Sequence, residues 1–311
     1  MFYLIIAIVC GSLFSVLFKL FQQHGVNVQQ TIFFNYATGV LVAWSPIAFD
    51  LVRNGGTNVV EYQLPTTTLL VSLFQGILFM VGFMAMNSST FRCGVALTTA
   101  TARFSLILPV ILSWLFLSQP APSWLPASMV LIALLMIILP NEQQKCGDMS
   151  AHPGPHTRRK REAVWSLIGV FIIYGISDFS LKVAQHYVTL SANADADLAS
   201  HRLSSLTGTI FIMASLVSLV TCFIKGSFRE QRIGWRTITG GLLLGTANLC
   251  CTACMLKALE SMTTGLFYPV YNIGIVIVST VIGLLFFKER IKPIQALGLL
   301  IAASAIAMFF S

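Results

Sequence analysis

Apolar residues in this chain come in ten long runs separated by short polar segments. Each run approaches the roughly 20 residues that a helix needs to cross a bilayer, and none alternates as a barrel strand does. Because a lone strand in lipid leaves its backbone groups unpaired, the pattern predicts ten transmembrane helices. They are placed at residues 2–20, 31–52, 66–87, 95–117, 124–140, 164–182, 206–224, 237–257, 264–287 and 293–310.

The composition leaves no room for a large water-soluble domain. Apolar residues make up 56% of the 311 residues and charged residues only 10%, and the mean hydropathy is +0.81. These values lie far from the averages of soluble globular proteins. They exclude a soluble enzyme, and we expect an integral protein of a bacterial plasma (inner) membrane.

The basic residues of the loops predict the orientation in the membrane. Most loop Lys and Arg residues lie in odd-numbered loops, whereas the even-numbered loops hold Arg53, Arg202 and Lys257. The positive-inside rule therefore places the odd-numbered loops in the cytoplasm and both termini outside. The net charge of +8 is spread over the loops rather than over one face, so a nucleic-acid partner is not expected. The basic run at residues 158–161 is interpreted as a topology anchor, with anionic lipid as a second reading.

The second half of the chain resembles the first. A shift of 169 residues aligns the third to fifth predicted helices with the eighth to tenth, and brings Gly76 onto Gly245. Each half has five predicted helices. Because an odd number of crossings ends on the far side of the membrane, the second half enters from the side opposite to the first. Inverted repeats are typical of secondary transporters, with the solute site at the repeat interface. We predict a first repeat over residues 1–140, a basic linker over 141–163 and a second repeat over 164–311.

The last two helices of each half are joined by a short polar turn, and Leu-Leu-Phe-Phe-Lys288-Glu289-Arg290 precedes the tenth helix. With the ten-helix pattern, these features resemble the drug/metabolite transporter superfamily, specifically its EamA-type members. The resemblance covers nearly the whole chain, although the first half has Gln119-Pro120 at the corresponding turn. It implies an all-α membrane protein of two inverted five-helix repeats that transports a solute. The cargo stays open, because members move amino acids, sugars, nucleotide derivatives and drugs.

Charged and polar side chains inside the predicted helices are the candidate solute-binding residues, because a charge at the centre of a spanning helix costs on the order of 3 kcal/mol. Arg103 is placed well inside the fourth helix, and the 169-residue shift pairs it with Asn272 in the ninth. The two either form the walls of one central site, or Arg103 merely locks two helices together. Tyr268 and Tyr271 lie beside Asn272 and offer stacking area and hydroxyl groups. Pro269 is expected to break or bend the ninth helix near the site.

Asp178 and Lys182 stand four residues apart on the sixth helix, close enough to pair. The pair is either structural, or Asp178 takes up a proton as cargo moves. Lys19 holds the place of Lys182 in the first half, and both lysines lie near helix ends from which they could snorkel. The remaining candidates carry amides that either bind solute or bond a neighbouring helix: Asn35, Gln75 and Asn248.

These features predict a secondary transporter that moves a small organic metabolite by alternating access. The basic residues near the proposed site favour a solute with a negative or zwitterionic group, such as an amino acid. No Gly-x-x-x-x-Gly-Lys-Ser/Thr segment occurs, so neither ATP use nor a cofactor is expected, and coupling comes from protons or is absent. The histidines lie in loops or at helix ends, which argues against a metal site. The alternative is a membrane-embedded enzyme acting on a lipid or lipid-linked sugar, although Asp178 stands almost alone as an acid at membrane depth.

Spacing also predicts one close helix contact. Gly241 and Gly245 lie four residues apart in the eighth predicted helix, so both fall on one face of that helix. Small residues at this spacing let two helix backbones approach closely in a membrane. We therefore expect this face to pack against a neighbouring helix.

Overall fold

The chain, seen in a computed structural model, is built from helices, and the residues described below include no strand. The structure describes residues 2–23, 26–56, 59–93, 95–120, 124–138, 156–193, 195–227, 233–287 and 293–310. A 3₁₀ turn over Val59–Tyr62 follows the second helix. The helices α1 to α11 are, in order, Phe2–Gln23, Val28–Arg53, Thr66–Cys93, Val95–Phe104, Ile107–Phe116, Trp124–Ile138, His156–Ser191, Ala196–Ile224, Trp235–Ser261, Thr264–Phe287 and Pro293–Phe310.

Within the described ranges, six helices are long and apolar enough to cross a membrane. Their spanning parts are Val28–Arg53, Thr66–Met86, Glu162–Ser191, Ala196–Ile224, Trp235–Ser261 and Thr264–Ile282. Shorter apolar helical segments cover Phe2–Phe14, Thr101–Phe116 and Pro293–Ala305. Helices satisfy their own backbone hydrogen bonds, which is what the lipid interior requires. These findings indicate an all-helical integral membrane protein.

Helix is found at all ten predicted positions, but several helices extend beyond the apolar run. The predicted sixth helix, 164–182, corresponds to α7, which begins at His156 and ends at Ser191. Residues 156–163 of the predicted linker are therefore helical. The rest of the linker lies outside the described residues, as does the Lys288-Glu289-Arg290 segment.

Polar side chains set the start of two helices. Asn27 Oδ1 accepts the backbone N–H groups of the residues two and three positions later, at 3.1 and 3.2 Å, and α2 begins at Val28. Asp195 Oδ1 does the same at 3.0 Å for each bond, so that α8 begins at Ala196 rather than at the predicted residue 206. Such N-caps satisfy backbone donors that have no partner within the helix. Hydropathy alone could not place these boundaries, because it follows apolar length rather than capping.

The predicted fourth helix, 95–117, is wrong as a single helix. A turn at Ser105 and Leu106 divides it into α4 and α5. The cause is Pro109, which lacks the N–H that would bond the Ser105 carbonyl four residues earlier. That carbonyl instead accepts the N–H of Leu108 at 2.9 Å, and the N–H of Leu106 bonds the Arg103 carbonyl at 3.3 Å. Both bonds span three residues, as in a 3₁₀ turn.

Pro269, which was expected to break or bend the ninth helix, does not break it, because α10 runs through this residue from Thr264 to Phe287. That Pro269 bends the helix stays a prediction. Pro269 removes the bond to the carbonyl of Gly265, four residues earlier, which lies in the first turn of the helix. A proline so close to a helix start disturbs little of the helix.

Contacts divide the chain into two compact units. The first unit comprises Met1–Met80 and Ser180–Ser261, and the second comprises Val81–Phe179 and Met262–Ser311. Helices α3 and α7 each contribute one part to each unit. Both units therefore contain segments of both predicted repeats. The units follow packing rather than sequence similarity, and the repeat boundaries remain a prediction.

In the first unit, α9 packs against α1 and α2, and α2 also packs against α8. The contact of α9 with α2 is close because Gly241 and Gly245 face it. A Cβ added to Gly245 would lie 2.5 Å from the Asn35 carbonyl oxygen, and one added to Gly241 would lie 2.3 Å from Phe34 Cβ. This close approach is the role predicted from the spacing of the two glycines.

In the second unit, α10 packs against α5, α6 and α11, and α6 packs along α11. Phe267 and Tyr268 are fully buried, and the ring of Phe267 stacks on that of Tyr271 with centroids 5.4 Å apart. Gly175 of α7 meets the side chain of Leu108 in α5. These contacts bring α5, α7 and α10 together within this unit.

Candidate functional site

Arg103 and Asn272, the residues paired by the 169-residue shift, meet in the second unit. Nη1 of Arg103 donates a hydrogen bond to Oδ1 of Asn272 at 3.2 Å. Asn272 is buried, and its Nδ2 donates to the backbone carbonyl of Tyr268 at 3.0 Å. Because the amide nitrogen is held in this way, the amide oxygen points at the guanidinium. Asn272 thus positions Arg103.

The sequence predicted that Arg103 lies well inside a long helix, but the structure does not place it there. The break at Ser105 leaves it in the last turn of α4, which ends at Phe104.

Asp178 and Tyr174 lie one helical turn apart on α7. The hydroxyl of Tyr268 donates to the backbone carbonyl of Asp178 at 2.5 Å, which ties α10 to α7. The hydroxyl of Tyr174 donates to Met86 Sδ at 3.0 Å. Arg103 is close enough to both Tyr174 and Asp178 to interact with them electrostatically. We call these residues of the second unit the polar cluster: Arg103, Tyr174, Asp178, Tyr268 and Asn272.

The polar cluster has a buried part and an accessible part. Tyr268 is 0% and Asn272 3% exposed, so these two hold helices in place. Arg103, Tyr174 and Asp178 each keep part of their surface accessible. Tyr174 and Asp178 nevertheless lie deep among protein atoms. A side chain that is both deep and accessible can meet a small molecule that enters the protein.

Tyr268 and Tyr271 were predicted to offer rings and hydroxyl groups near Asn272. The structure uses the hydroxyl of Tyr268 to bond the Asp178 carbonyl, as described above, and stacks Tyr271, which is 8% exposed, on Phe267. Both tyrosines therefore support the packing of α10.

Lys182 does not pair with Asp178, contrary to one of the two readings of the sequence. Its side chain is 4% exposed, and Nζ donates to Gln185 Oε1 and to the backbone carbonyl of Leu259, both at 2.7 Å. Leu259 lies in the last turn of α9, where carbonyls lack partners within the helix. A lysine at this place satisfies such a carbonyl and interacts favourably with the helix dipole. Lys182 thus joins α7 to the end of α9 within the first unit.

The amide candidates also lie in the first unit. Nδ2 of Asn248 in α9 donates to Oδ1 of Asn35 in α2 at 3.3 Å, which is the bond between neighbouring helices that the sequence left as one of two readings. Asn35 and Gln75 are each 1% exposed. The side chain of Lys19 lies outside the described part of the chain.

Tyr174 is a member of the polar cluster that was not predicted from the sequence. It stands four residues before Asp178 on the same helix, and this spacing, which puts two side chains on one helix face, was the available clue. In the described ranges, no three His, Cys, Asp or Glu side chains come together in a way that could hold a metal ion.

Comparison with known proteins gives a relative and a shared fold. No family model matches the chain. An uncharacterized protein of Haemophilus influenzae is 27% identical over 313 residues, which cover 97% of this chain and 95% of that protein. A solved structure, described only as the crystal structure of a protein, matches with a TM-score of 0.69 at 12% identity, over 99% of this chain and 95% of the other. This likeness shows the fold alone.

Proposed function

We propose that the protein is a secondary transporter that moves a small organic solute with a negative or zwitterionic group, such as an amino acid, by alternating access. The observation that carries the proposal is the polar cluster of the second unit. There, an arginine oriented by Asn272 lies near a partly accessible carboxylate within an apolar helical protein.

The energetics of charge in a membrane support a solute-binding role for Arg103. A charged side chain at membrane depth costs on the order of 3 kcal/mol, so such residues usually serve a pathway or a ligand. The guanidinium has five N–H donors in a fixed fork, and among the described residues Asn272 accepts a hydrogen bond from Nη1. The remaining donors suit a carboxylate, which pairs with arginine through two parallel hydrogen bonds.

The proposed architecture has ten spans in two inverted repeats, residues 1–140 and 164–311, in a bacterial inner membrane, as in the drug/metabolite transporters that the chain resembles. Two observations support it. Helix occurs at every predicted span, and the bond from Arg103 to Asn272 joins residues separated by the 169 positions of the repeat. In such folds, the two repeats move against each other around a central site.

The test begins with purified protein and a screen for solutes that raise its thermal stability, because a ligand that binds the folded form stabilises it. Uptake of the solute so identified is then measured in reconstituted vesicles. We expect Arg103→Ala to abolish uptake. Arg53→Ala, which removes an exposed arginine at the end of α2, is the matched control and should transport normally.

Two results would contradict the proposal. Uptake by Arg103→Ala at the parent rate, with unchanged dependence on salt and pH, would remove Arg103 from the site. Formation of a modified lipid in the vesicles without any solute flux would instead favour a membrane-embedded enzyme acting on a lipid or lipid-linked sugar.

A further inference from the structure

The single O–H donor of Tyr174 is bonded to a weak acceptor. Its hydroxyl donates to Met86 Sδ at 3.0 Å, and a thioether sulfur is a weak acceptor. An oxygen acceptor on a solute would form a stronger bond with the same hydroxyl, above all if it carried negative charge. The phenol of Tyr174 is therefore well placed to exchange Met86 for a solute oxygen.

Asp178 lies one turn further along α7 and carries a carboxylate, which accepts hydrogen bonds, whereas Tyr174 donates one. The backbone carbonyl of Asp178 accepts a hydrogen bond from the Tyr268 hydroxyl, but none of the described residues donates a hydrogen bond to its carboxylate. A carboxylate deep in a protein is costly unless a cation or a set of donors satisfies it. An ammonium group on a solute would supply such a cation.

The basic residues near Asp178 donate their hydrogen bonds to other groups. Arg103 acts on Asp178 electrostatically, but the bond it makes goes to Asn272. The ammonium of Lys182, four residues after Asp178, is used by Gln185 and the carbonyl of Leu259. Neither residue supplies the hydrogen-bond donor that the Asp178 carboxylate lacks.

From these observations we propose that Tyr174 and Asp178 complete the solute site, with opposite roles. Asp178 binds an ammonium group of the solute, while Tyr174 and Arg103 bind an anionic oxygen acceptor on the same molecule. This inference rests on the proposed transport function and deepens it. It assigns a binding role to Tyr174, and it requires a solute that carries both charges rather than an anion alone.

The test compares three sets of probes that share the same side chains: free amino acids, their N-acetyl derivatives, which keep only the acid, and their methyl esters, which keep only the amine. Each set, with apolar, polar and charged members, is titrated against the purified full-length protein while thermal stability is followed. A member of the free set should bind at least about tenfold more tightly than its two derivatives, because each derivative loses a charged hydrogen bond.

Two variants assign the roles. Asp178→Asn should lose the preference for the free amino acid over its N-acetyl derivative, because the carboxylate that reads the ammonium is gone. Tyr174→Phe should bind the free amino acid about tenfold less tightly and still discriminate against the N-acetyl derivative. Tyr187→Phe, which alters a tyrosine of the same helix that is 39% exposed, should bind as the parent does. Unliganded melting curves identify any variant that fails to fold.

The inference is overturned if N-acetyl derivatives bind the parent protein as tightly as free amino acids, if no member of the three sets binds, or if a folded Tyr174→Phe protein binds as the parent does. None of these results decides the proposed function. Uptake of a solute from another class by the same vesicles would leave transport intact while removing this assignment of Tyr174 and Asp178.

Discussion

Arg103 Nη1 donates to Asn272 Oδ1 at 3.2 Å, across 169 residues of sequence. The repeat shift of the sequence pairs the same two residues. Asn272 is held in turn by its bond to the Tyr268 carbonyl, so the guanidinium meets a rigid acceptor. This bond connects the end of α4 to α10 and gives the polar cluster its positive member.

A double-mutant cycle measures this bond. We expect Arg103→Ala and Asn272→Ala to show a coupling energy of about 1 kcal/mol in unfolding experiments, since polar bonds between membrane helices typically contribute this much or slightly less. The control cycle combines Arg103→Ala with Ser128→Ala, an exposed serine of α6 whose hydroxyl bonds the Leu125 carbonyl, and should show no coupling. Equal values for the two cycles would mean that the bond contributes nothing specific.

Gly245 should tolerate no side chain. An added Cβ would lie 2.5 Å from the Asn35 carbonyl oxygen, and backbone cannot move aside as a side chain can. Gly245→Ala should therefore lower the free energy of unfolding by about 1–3 kcal/mol, the usual effect of overpacking. Gly169→Ala is the control, because nothing lies within 4 Å of its added Cβ. It should be neutral or slightly stabilising, as alanine favours helix. Equal thermal stabilities of the two variants would refute the close contact.

Lys182 should matter for folding rather than for solute. Lys182→Met leaves the Leu259 carbonyl and Gln185 Oε1 without their shared donor, and we expect a loss of about 1–3 kcal/mol in the free energy of unfolding. Solute affinity should stay unchanged. Lys225→Met, which changes an exposed lysine after α8, should alter neither property. A Lys182→Met protein of parental stability that no longer binds solute would restore Lys182 as a binding residue.

Tyr62 gives a prediction about pH outside the spanning segments. Its hydroxyl donates to Asp50 Oδ2 at 3.0 Å, and its ring stacks on that of His201. Burial, followed by the bond to Asp50, raises the pKa of Tyr62 above its ordinary value of 10.0. The protonated hydroxyl of Tyr62 therefore stabilises the folded protein fully below pH 10. This stabilisation is lost as the pH rises through the folded-state pKa of Tyr62, because Tyr62 loses its proton at a lower pH in the unfolded chain than in the folded one.

Thermal unfolding of the parent and of Tyr62→Phe between pH 8 and pH 11 tests this sign. The parent should be the more stable protein at pH 8, and its advantage should shrink as the pH rises beyond about 10. Tyr187→Phe controls for the loss of an exposed phenol. An advantage of the parent that stays constant across the range would contradict the raised pKa.

The sequence predicted the helices well because apolar length is what a bilayer demands, and the repeat shift predicted the meeting of Arg103 with Asn272. The prediction of the helices failed where a residue changes the hydrogen bonding of another residue several positions away in the chain. The break at Ser105 arises from Pro109, whose missing N–H affects the carbonyl four residues earlier. Pro269, the proline expected to break or bend a helix, stands too near the start of α10 to break it.

The partner of Lys182 could not have been predicted in the same way. Every residue has a backbone carbonyl, so the sequence does not identify the Leu259 carbonyl as the acceptor for Lys182. Only the end of α9 makes this carbonyl available. The two readings of Asn35 and Asn248 likewise needed coordinates, because an amide that bonds another helix and an amide that bonds a solute look alike in sequence.

The most direct test of the account asks whether the polar cluster meets water. In a protein whose seven native cysteines are replaced, Asp178→Cys is compared with Ile176→Cys, an exposed apolar position two residues earlier on α7. We predict that a membrane-impermeant thiol reagent labels the cysteine at position 178, whereas the cysteine at position 176 stays unlabelled because lipid covers it. Labelling at 176 with none at 178 from either side of the membrane would contradict a solute pathway along the polar cluster.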